Sequence, residues 1–189
     1  MMTLEAARRL AGTIGDAVAP FCDRLELAGS VRRQRPYVND LDFVCILRPA
    51  NRPAFMERAT LRAALVKDGD DIVIIRLPGG QQIDFYFAHN GKKDLLEAQP
   101  SNWGSVLLSR TGSKEHNILL ADRARKLGLK WETMIGVTKA GADGTRTILA
   151  SESEQAIFQA LEMNYVAPES REVQPAAWSE PMRPNYRGD

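Results

Sequence analysis

Apolar residues recur at helical spacing in several parts of this chain. Behind Thr3, a residue type that caps helices, apolar positions repeat every three or four residues up to Val18, just before Pro20. Within this stretch, Gly12–Gly15 allows a second interpretation as a DNA-backbone hairpin between two short helices, although the apolar stripe runs through it. Three more helices are predicted, at Pro53–Val66, at Ser113–Gly128 and from the capping box Ser151–Glu154 onward.

Runs of aliphatic and aromatic residues predict strands between these helices. The predicted strands are 24–28, 41–47, 71–77, 82–88, 130–137 and 146–150. The turn segments Pro78–Gln81 and Gly141–Gly144 join the later strands into two hairpins. The order of elements predicts an α+β fold with one unit at 1–103, a smaller unit at 104–172 and a flexible tail at 173–189.

Composition restricts the class of protein. Of 189 residues, 44% are hydrophobic and 26% are charged, which excludes a wholly disordered or collagen-like chain. The longest aliphatic run, Ile72–Ile75, is too short to cross a bilayer, and Met1–Glu5 lacks the pattern of a secretory signal. We therefore expect a cytoplasmic protein with no membrane segment. Cys22 and Cys45 stand apart from each other, and we expect both to be reduced.

Charge is unevenly distributed, although the net charge is only +1. Residues 110–130 carry six basic side chains against two acidic ones, whereas residues 152–189 carry seven acidic side chains and three arginines. Separate basic and acidic surfaces favour a phosphate-rich ligand on one side of the protein. A solvated helix face would give the same pattern, so charge alone leaves both interpretations open.

Two aspartates form the most informative spacing in the chain. Asp40 and Asp42 lie two residues apart in a strand, so their side chains project from one face. Carboxylates held this close raise each other's pKa unless a cation lies between them, and Mg²⁺ prefers such oxygen ligands. Asp84 interrupts another, strongly apolar strand, as a paired core charge, a surface residue or a third ligand. On adjacent strands, three aspartates could bridge two metal ions for in-line phosphoryl transfer.

A glycine and a serine precede the paired aspartates. Nine residues separate Gly29-Ser30 from Asp40. Glycine lets the backbone approach a triphosphate, and N–H groups with a serine hydroxyl at a helix start can bind its oxygens. Arg33 adds a forked cation for the charge that develops on a leaving pyrophosphate. A Gly-Ser pair alone is usually a turn, but its combination with the two aspartates is specific.

With these residues the sequence resembles the nucleotidyltransferase superfamily and, more narrowly, the family X DNA polymerases. The first unit carries motifs like those of the family's palm, at Gly29–Arg33, Asp40–Asp42 and Ile83–Asp84. The second carries motifs like those of its thumb, at Trp103–Leu108, Thr111–Ser113, Asn117, Ala124–Leu129, Glu154–Tyr165, Pro168–Glu169 and Arg171–Glu172. The resemblance spans about residues 24–172. It implies a minimal palm-and-thumb form that adds nucleoside monophosphates from nucleoside triphosphates to a primer 3′-hydroxyl.

The resemblance also implies roles for individual residues. Asp40 and Asp42 would ligate two Mg²⁺ ions, for which Mn²⁺ could substitute, and Asp84 would hold the catalytic ion and accept the primer proton. The nucleotide-binding residues would be Gly29, Ser30, Arg33, Gly112 and Asn117. The nucleic-acid contacts would be Lys114, Arg123, Arg125 and Lys126. We expect a monomer that acts on primer–template or gapped DNA, as in gap-filling repair.

The chain departs from the family pattern in three respects. Ser109-Arg110 replaces an aromatic pair that commonly precedes Thr-Gly-Ser, which removes the family's barrier against a ribose 2′-hydroxyl. Gln82 stands where a basic residue often precedes the third aspartate, which would weaken primer activation. We expect no counterpart of the lyase, helix-hairpin-helix or phosphoesterase regions of larger members.

Two other functions remain compatible with these motifs. A template-independent nucleotidyltransferase acting on an RNA end or a small acceptor would share the palm. A catalytically silent nucleic-acid-binding module would share the basic segment, although it would have no need for three clustered acids. Reaction on gapped, nicked and single-stranded substrates distinguishes these functions.

Overall fold

The computed structural model describes residues 1–93 and 98–172, so the tail predicted at 173–189 lies outside the described residues. The helices are α1 (Leu4–Val18), α2 (Gly29–Arg32), α3 (Arg52–Thr60), α4 (Trp103–Thr111), α5 (Lys114–Lys126) and α6 (Glu154–Ala160). The strands are β1 (Met2–Thr3), β2 (Cys22–Leu27), β3 (Tyr37–Val38), β4 (Asp40–Leu47), β5 (Ala64–Asp68), β6 (Ile72–Arg76), β7 (Gln82–Phe87), β8 (Lys92–Lys93), β9 (Ala98–Gln99), β10 (Lys130–Glu132), β11 (Gly136–Ala140) and β12 (Arg146–Ala150).

A five-stranded mixed sheet forms the centre of the N-terminal unit, which we define as residues 1–88. Its strand order is β2-β4-β7-β6-β5, in which β4 and β7 are parallel and the other neighbours are antiparallel. Helices α1 and α3 cover one face of this sheet over a core that includes Leu41, Phe43, Phe55 and Phe85. The Phe85 ring lies 5.4 Å from Phe43 and 5.1 Å from Phe55, centroid to centroid, so three aromatic rings anchor this core.

The opposite face of the sheet is acidic at one end of its strands and apolar further along. Alternation along β4 and β7 places Asp40, Asp42 and Asp84 on this face, and the parallel register sets Asp42 beside Asp84. Further along β4, the same face presents Val44 and Ile46, which pack in an apolar cluster with α4. The three carboxylates therefore lie next to, and not within, the apolar contact between the sheet and α4.

A second core forms the C-terminal unit, which we define as residues 103–172. The antiparallel sheet β10-β11-β12 packs with α4, α5 and α6 around residues such as Leu120, Val137 and Phe158. Ser113 caps α5, as predicted, because its hydroxyl accepts a hydrogen bond from the N–H of His116 at 3.3 Å. Sheets and helices in both units confirm the predicted α+β fold.

The first helix confirms the prediction made from its apolar stripe. Thr3 caps α1 by accepting a hydrogen bond from the N–H of Ala6 at 3.3 Å, and the helix is continuous through Gly12 and Gly15. The alternative hairpin interpretation of Gly12–Gly15 is therefore wrong. Cys22 and Cys45 are both buried, and no disulfide joins them in the structure.

Two predicted elements have different limits in the structure. The helix predicted at 53–66 ends at Thr60, and β5 follows because pairing with β6 satisfies its backbone at the sheet edge. The strand predicted at 130–137 is divided into β10 and the start of β11. A turn in which the N–H of Ile135 donates to the carbonyl of Glu132 separates them, so it is β11 that pairs with β12 in the predicted hairpin.

The capping of α6 also differs from the prediction. Ser153, not Ser151, caps the helix, because its hydroxyl accepts a hydrogen bond from the N–H of Ala156 at 3.1 Å. Glu154 is then the first helical residue and cannot take the third position of a capping box. Its carboxylate is used for ion pairs instead. In residues 1–93 and 98–172, no helix combines the length and apolar character needed to cross a bilayer.

Candidate active site

A cleft of about 690 Å³ lies between the N-terminal and C-terminal units. Its walls come from α2 and the start of β4 on one side and from the end of α4 and the start of α5 on the other. Eight of the residues predicted for the site line this cleft: Gly29, Ser30, Arg33, Asp40, Asp42, Gly112, Lys114 and Asn117. Residues far apart in sequence thus converge on one concave surface, the usual location of a ligand site.

Gly29 begins α2 and determines how closely the helix approaches β4. Its φ of +58° lies in the left-handed region, and a Cβ built at this position would overlap Oδ2 of Asp42. Only glycine therefore allows this backbone to lie against the carboxylate. The next residue, Ser30, has a buried hydroxyl with no hydrogen-bond partner in the described part of the chain. A buried hydroxyl without a partner is uncommon in folded proteins, and in a residue that lines a cleft it could bond a ligand that enters there.

The carboxylates of the site carry an unbalanced negative charge. Burial raises the pKa of Asp42 to about 7, with further contributions from Asp40 and Asp84 that Arg33 and Arg110 only partly offset. A carboxyl group whose pKa is raised by its acidic neighbours is stabilised as an anion by any cation that enters the cluster.

Asp84 is held by two neighbours on its own strand. Gln82 Nε2 donates to Oδ1 of Asp84 at 2.9 Å, and the hydroxyl of Tyr86 donates to Oδ2 at 3.1 Å. Burial nevertheless raises the pKa of Asp84 above its usual range. The guanidinium of Arg110 stacks over the Tyr86 ring at 4.2 Å, which sets a cation beside this hydrogen-bonded pair.

The donor set fits divalent metal ions by its chemistry. Asp40, Asp42 and Asp84 offer carboxylate oxygens on one face of adjacent parallel strands, and hard cations such as Mg²⁺ prefer these ligands. Within residues 1–93 and 98–172, no three acidic, histidine or cysteine side chains are already grouped as a metal-binding cluster. Because Gln82 and Tyr86 both donate hydrogen bonds to the carboxylate of Asp84, a metal ion that takes Asp84 as a ligand must compete with these two bonds.

The C-terminal wall of the cleft presents both backbone and amide groups. Gly112 has a φ of +71°, and the carbonyl of Thr111 just before it accepts a hydrogen bond from Nη1 of Arg33. Asn117 Nδ2 donates to the carbonyl of Ser109 at 2.8 Å, and the side chain of the buried His116 hydrogen-bonds to the side chain of Asn117. Asn117 is thus oriented by the protein on the wall of the cleft.

An ion-pair network that the sequence did not reveal holds α2 in position. Arg32 donates to both oxygens of Glu154, at 2.7 and 2.9 Å, and Arg171 donates to the same carboxylate at 2.8 Å. Arg32 also donates to the hydroxyl of Thr111 at 2.7 Å. Because Arg32 lies between Ser30 and Arg33 in the sequence, this network fixes both of these cleft residues relative to the C-terminal unit.

Three of the four predicted nucleic-acid contacts lie outside the cleft. Arg123 donates to the carbonyl of Leu161 and pairs with Glu162 at 3.0 Å, so it supports the end of α6. Arg125 and Lys126 both pair with Asp122, at 2.5 and 2.8 Å. Lys114 alone of the four lines the cleft.

Comparison with known families identifies the second unit. Residues 106–172 match the family model of the DNA polymerase beta thumb, a match that covers about a third of the chain. This match relates the C-terminal unit to the thumb of family X polymerases. No curated protein matched the chain in a direct comparison. The likeness of the N-terminal unit to a palm depends on its sequence motifs and its geometry.

Proposed function

We propose that this protein is a nucleotidyltransferase of the family X type that extends the 3′-hydroxyl of primer–template or gapped DNA with nucleotides from nucleoside triphosphates. The observation that carries the proposal is the convergence of Ser30, Arg33, Asp40 and Asp42 with Gly112 and Asn117 on one cleft. The buried hydroxyl of Ser30 has no partner within the described residues. Such a group costs stability unless a ligand satisfies it.

The first role of the protein is to bind and orient the nucleoside triphosphate. The hydroxyl of Ser30 and the guanidinium of Arg33 lie on the wall formed by α2, where they can contact phosphate oxygens. Asn117 and the backbone at Gly112 lie on the opposite wall, where they can contact the nucleoside. A ligand held at both ends would place its α-phosphorus near the carboxylates between them.

The second role is phosphoryl transfer at the α-phosphorus. The primer 3′-oxygen forms a bond to this phosphorus, the bond to the bridging oxygen of the β-phosphate breaks, and pyrophosphate leaves. Asp40, Asp42 and Asp84 would hold two Mg²⁺ ions, whose charge polarises the phosphoryl oxygens and stabilises the attacking and leaving oxygens. Asp84 would accept the proton of the 3′-hydroxyl, and Gln82 and Tyr86 hold its carboxylate at the edge of the site.

Incorporation of labelled nucleotide tests this function. The assay compares gapped DNA, nicked DNA and single-stranded primer, with Mg²⁺ and with EDTA. We expect Mg²⁺-dependent addition of the complementary deoxynucleotide opposite a one-nucleotide gap. Absence of incorporation on every substrate, in protein that is shown to be folded, would reject the proposed activity.

A second candidate is supported by the basic side chains of α5. Because Arg123, Arg125 and Lys126 pair with acids outside the cleft, little unpaired basic surface on α5 remains for a duplex. This arrangement favours a template-independent nucleotidyltransferase acting on an RNA end or a small acceptor. The same assay separates the two, since untemplated addition to single strands with no preference for the gap would favour the second candidate.

A further inference from the structure

Glu172 lies at the edge of the cleft between two arginines. Nε of Arg33 donates a hydrogen bond to Oε1 of Glu172, and Nη1 of Arg35 lies 3.5 Å from Oε2. Both arginines line the cleft, and the Glu172 side chain is about a quarter exposed (27%). The carboxylate of Glu172 thus occupies an anion-binding position between the guanidinium groups of Arg33 and Arg35.

The chain holds Glu172 in this position through the residue before it. Arg171 is fully buried, and it donates from Nε to the carbonyl of Val166 at 3.0 Å and from Nη1 to Glu154 at 2.8 Å. The carbonyl of Arg171 accepts a hydrogen bond from the hydroxyl of Ser113 at 2.9 Å. With its neighbour anchored on three sides, Glu172 can leave the two arginines by rotation of its own side chain.

The two arginines suit an oxyanion with more charge than a carboxylate. Forked guanidinium groups bind phosphate oxygens as they bind carboxylates, and a terminal phosphate brings about two charges and three oxygens. Arg33 remains oriented in either case, because its Nη1 donates to the carbonyl of Thr111. Lys114 lines the same cleft and adds to its positive potential.

We propose that Arg33 and Arg35 together form the site for the terminal phosphate of a polyphosphate ligand, and that Glu172 occupies this site until the ligand displaces it. The identity of the ligand as a nucleoside triphosphate rests on the proposed function. Neither Arg35 nor Glu172 was assigned to the site from the sequence motifs. Glu172 therefore lowers the affinity for the ligand, whereas Arg35 raises it.

Binding of inorganic tripolyphosphate to the full chain tests this proposal without any chemistry. Isothermal titration calorimetry in EDTA compares the wild type with Glu172→Gln, Arg35→Gln and Glu162→Gln. We expect Glu172→Gln to bind about three- to fivefold more tightly and Arg35→Gln to bind more weakly by a similar factor, as for a partly exposed ion pair. Glu162→Gln is the matched control, because it releases the exposed Arg123 outside the cleft and should change the affinity less than twofold.

Several results would overturn the proposal. These are unchanged or weaker binding by Glu172→Gln, unchanged binding by Arg35→Gln, an equal gain in Glu162→Gln, or no binding by any of the proteins. Thermal unfolding of each variant confirms that it is folded. If the expected affinities are found but no nucleotide is incorporated, the phosphate site stands and the proposed function fails. If nucleotide is incorporated but Glu172→Gln has no effect, the phosphate site fails and the function stands.

Discussion

The molecule contains two groups of acidic side chains with opposite electrostatics. Glu154 is 4% exposed, and although burial alone would raise its pKa, hydrogen bonds from Arg32 and Arg171 lower it. Asp42 is surrounded by Asp40 and Asp84 as well as by protein, and burial with these two neighbours raises its pKa to about 7.

The difference indicates what each group does. A buried acid that the chain itself supplies with two cations is a structural element, since the removal of one partner leaves the others unpaired. A group of acids that lacks sufficient counter-charge costs stability and is retained for chemistry or for a cation from outside. The Glu154 network thus positions the walls of the cleft, and we propose that the aspartates act on a ligand bound there.

The largest effect is expected from Asp84→Asn. Nucleotide incorporation in single-turnover assays should fall by about a thousandfold or more, because an amide cannot accept the primer proton or replace the carboxylate as a metal ligand. The free energy of unfolding should change by less than about 1 kcal/mol, because the loss of one hydrogen bond at this buried group is offset by the relief of its charge repulsion with Asp42. The surface variant Asp23→Asn is the control, and a rate for Asp84→Asn within tenfold of the wild type would reject its catalytic role.

Glu154→Gln is expected to lower the stability of the fold strongly, whereas Asp84→Asn is expected to lower activity and leave stability nearly unchanged. Loss of the Glu154 carboxylate leaves the buried guanidinium of Arg171 without an acidic partner in the described residues and Arg32 with only its longer pair to Glu26, so the free energy of unfolding should fall by about 3–5 kcal/mol in denaturant titrations. Glu162→Gln, which breaks an exposed pair with Arg123, should cost less than about 1 kcal/mol. Equal losses in the two variants would show that the buried network has no special structural role.

The pH dependence of stability sharpens this contrast. Because the pKa of Glu154 is lowered on folding, its contribution is fully present above its ordinary value of 4.5 and is lost as the pH falls through the lower native pKa. The difference in unfolding free energy between the wild type and Glu154→Gln should therefore shrink below about pH 4.5. Burial lowers the pKa of His116 to about 3, and Glu154 partly opposes this shift, so both proteins are compared in a His116→Gln background that removes the acid destabilisation contributed by His116. A difference in unfolding free energy between the two proteins that stays constant from pH 7 to pH 3 would contradict the conclusion that the ionised Glu154 stabilises the fold.

The smallest effect is expected from substitutions of the basic side chains of α5, which should change only the salt dependence of DNA binding. Lys114 lines the cleft and forms no ion pair within the described residues, whereas Arg123 is paired with Glu162. Lys114→Gln should reduce the slope of log affinity for gapped DNA against log salt by about one, and Arg123→Gln should leave it nearly unchanged. Fluorescence anisotropy at several salt concentrations measures both slopes. A larger change in the salt slope for Arg123→Gln than for Lys114→Gln would show that Arg123, and not Lys114, contacts the DNA.

The local parts of the site could be predicted from the sequence. The period of two along β4 set Asp40 and Asp42 on one face, and a strand pattern around Asp84 indicated a neighbour for them. Glycine at position 29 was identified by its fit to a phosphate site. The structure adds that its missing side chain makes room for the carboxylate of Asp42.

Long-range pairing could not be predicted from these patterns. Glu154 was interpreted as part of a helix cap because that pattern is local, whereas its ion pair with Arg32 joins residues more than a hundred positions apart. The helix predicted to reach Val66 was wrong for a similar reason, because the edge of the sheet determines the conformation of β5. The same limit concealed the contacts of Arg35 with Glu172 and of Arg110 with Tyr86.

The most direct test of the contrast between the two acid groups is a count of bound Mn²⁺. Electron paramagnetic resonance, with a non-hydrolysable nucleoside triphosphate present, compares the wild type with Asp42→Asn and Glu162→Gln. The aspartates should bind about two ions per molecule in the wild type and in Glu162→Gln, and Asp42→Asn should lose most of this binding while remaining folded. Equal Mn²⁺ binding by the wild type and Asp42→Asn would contradict the central claim that the unbalanced aspartates are a metal site.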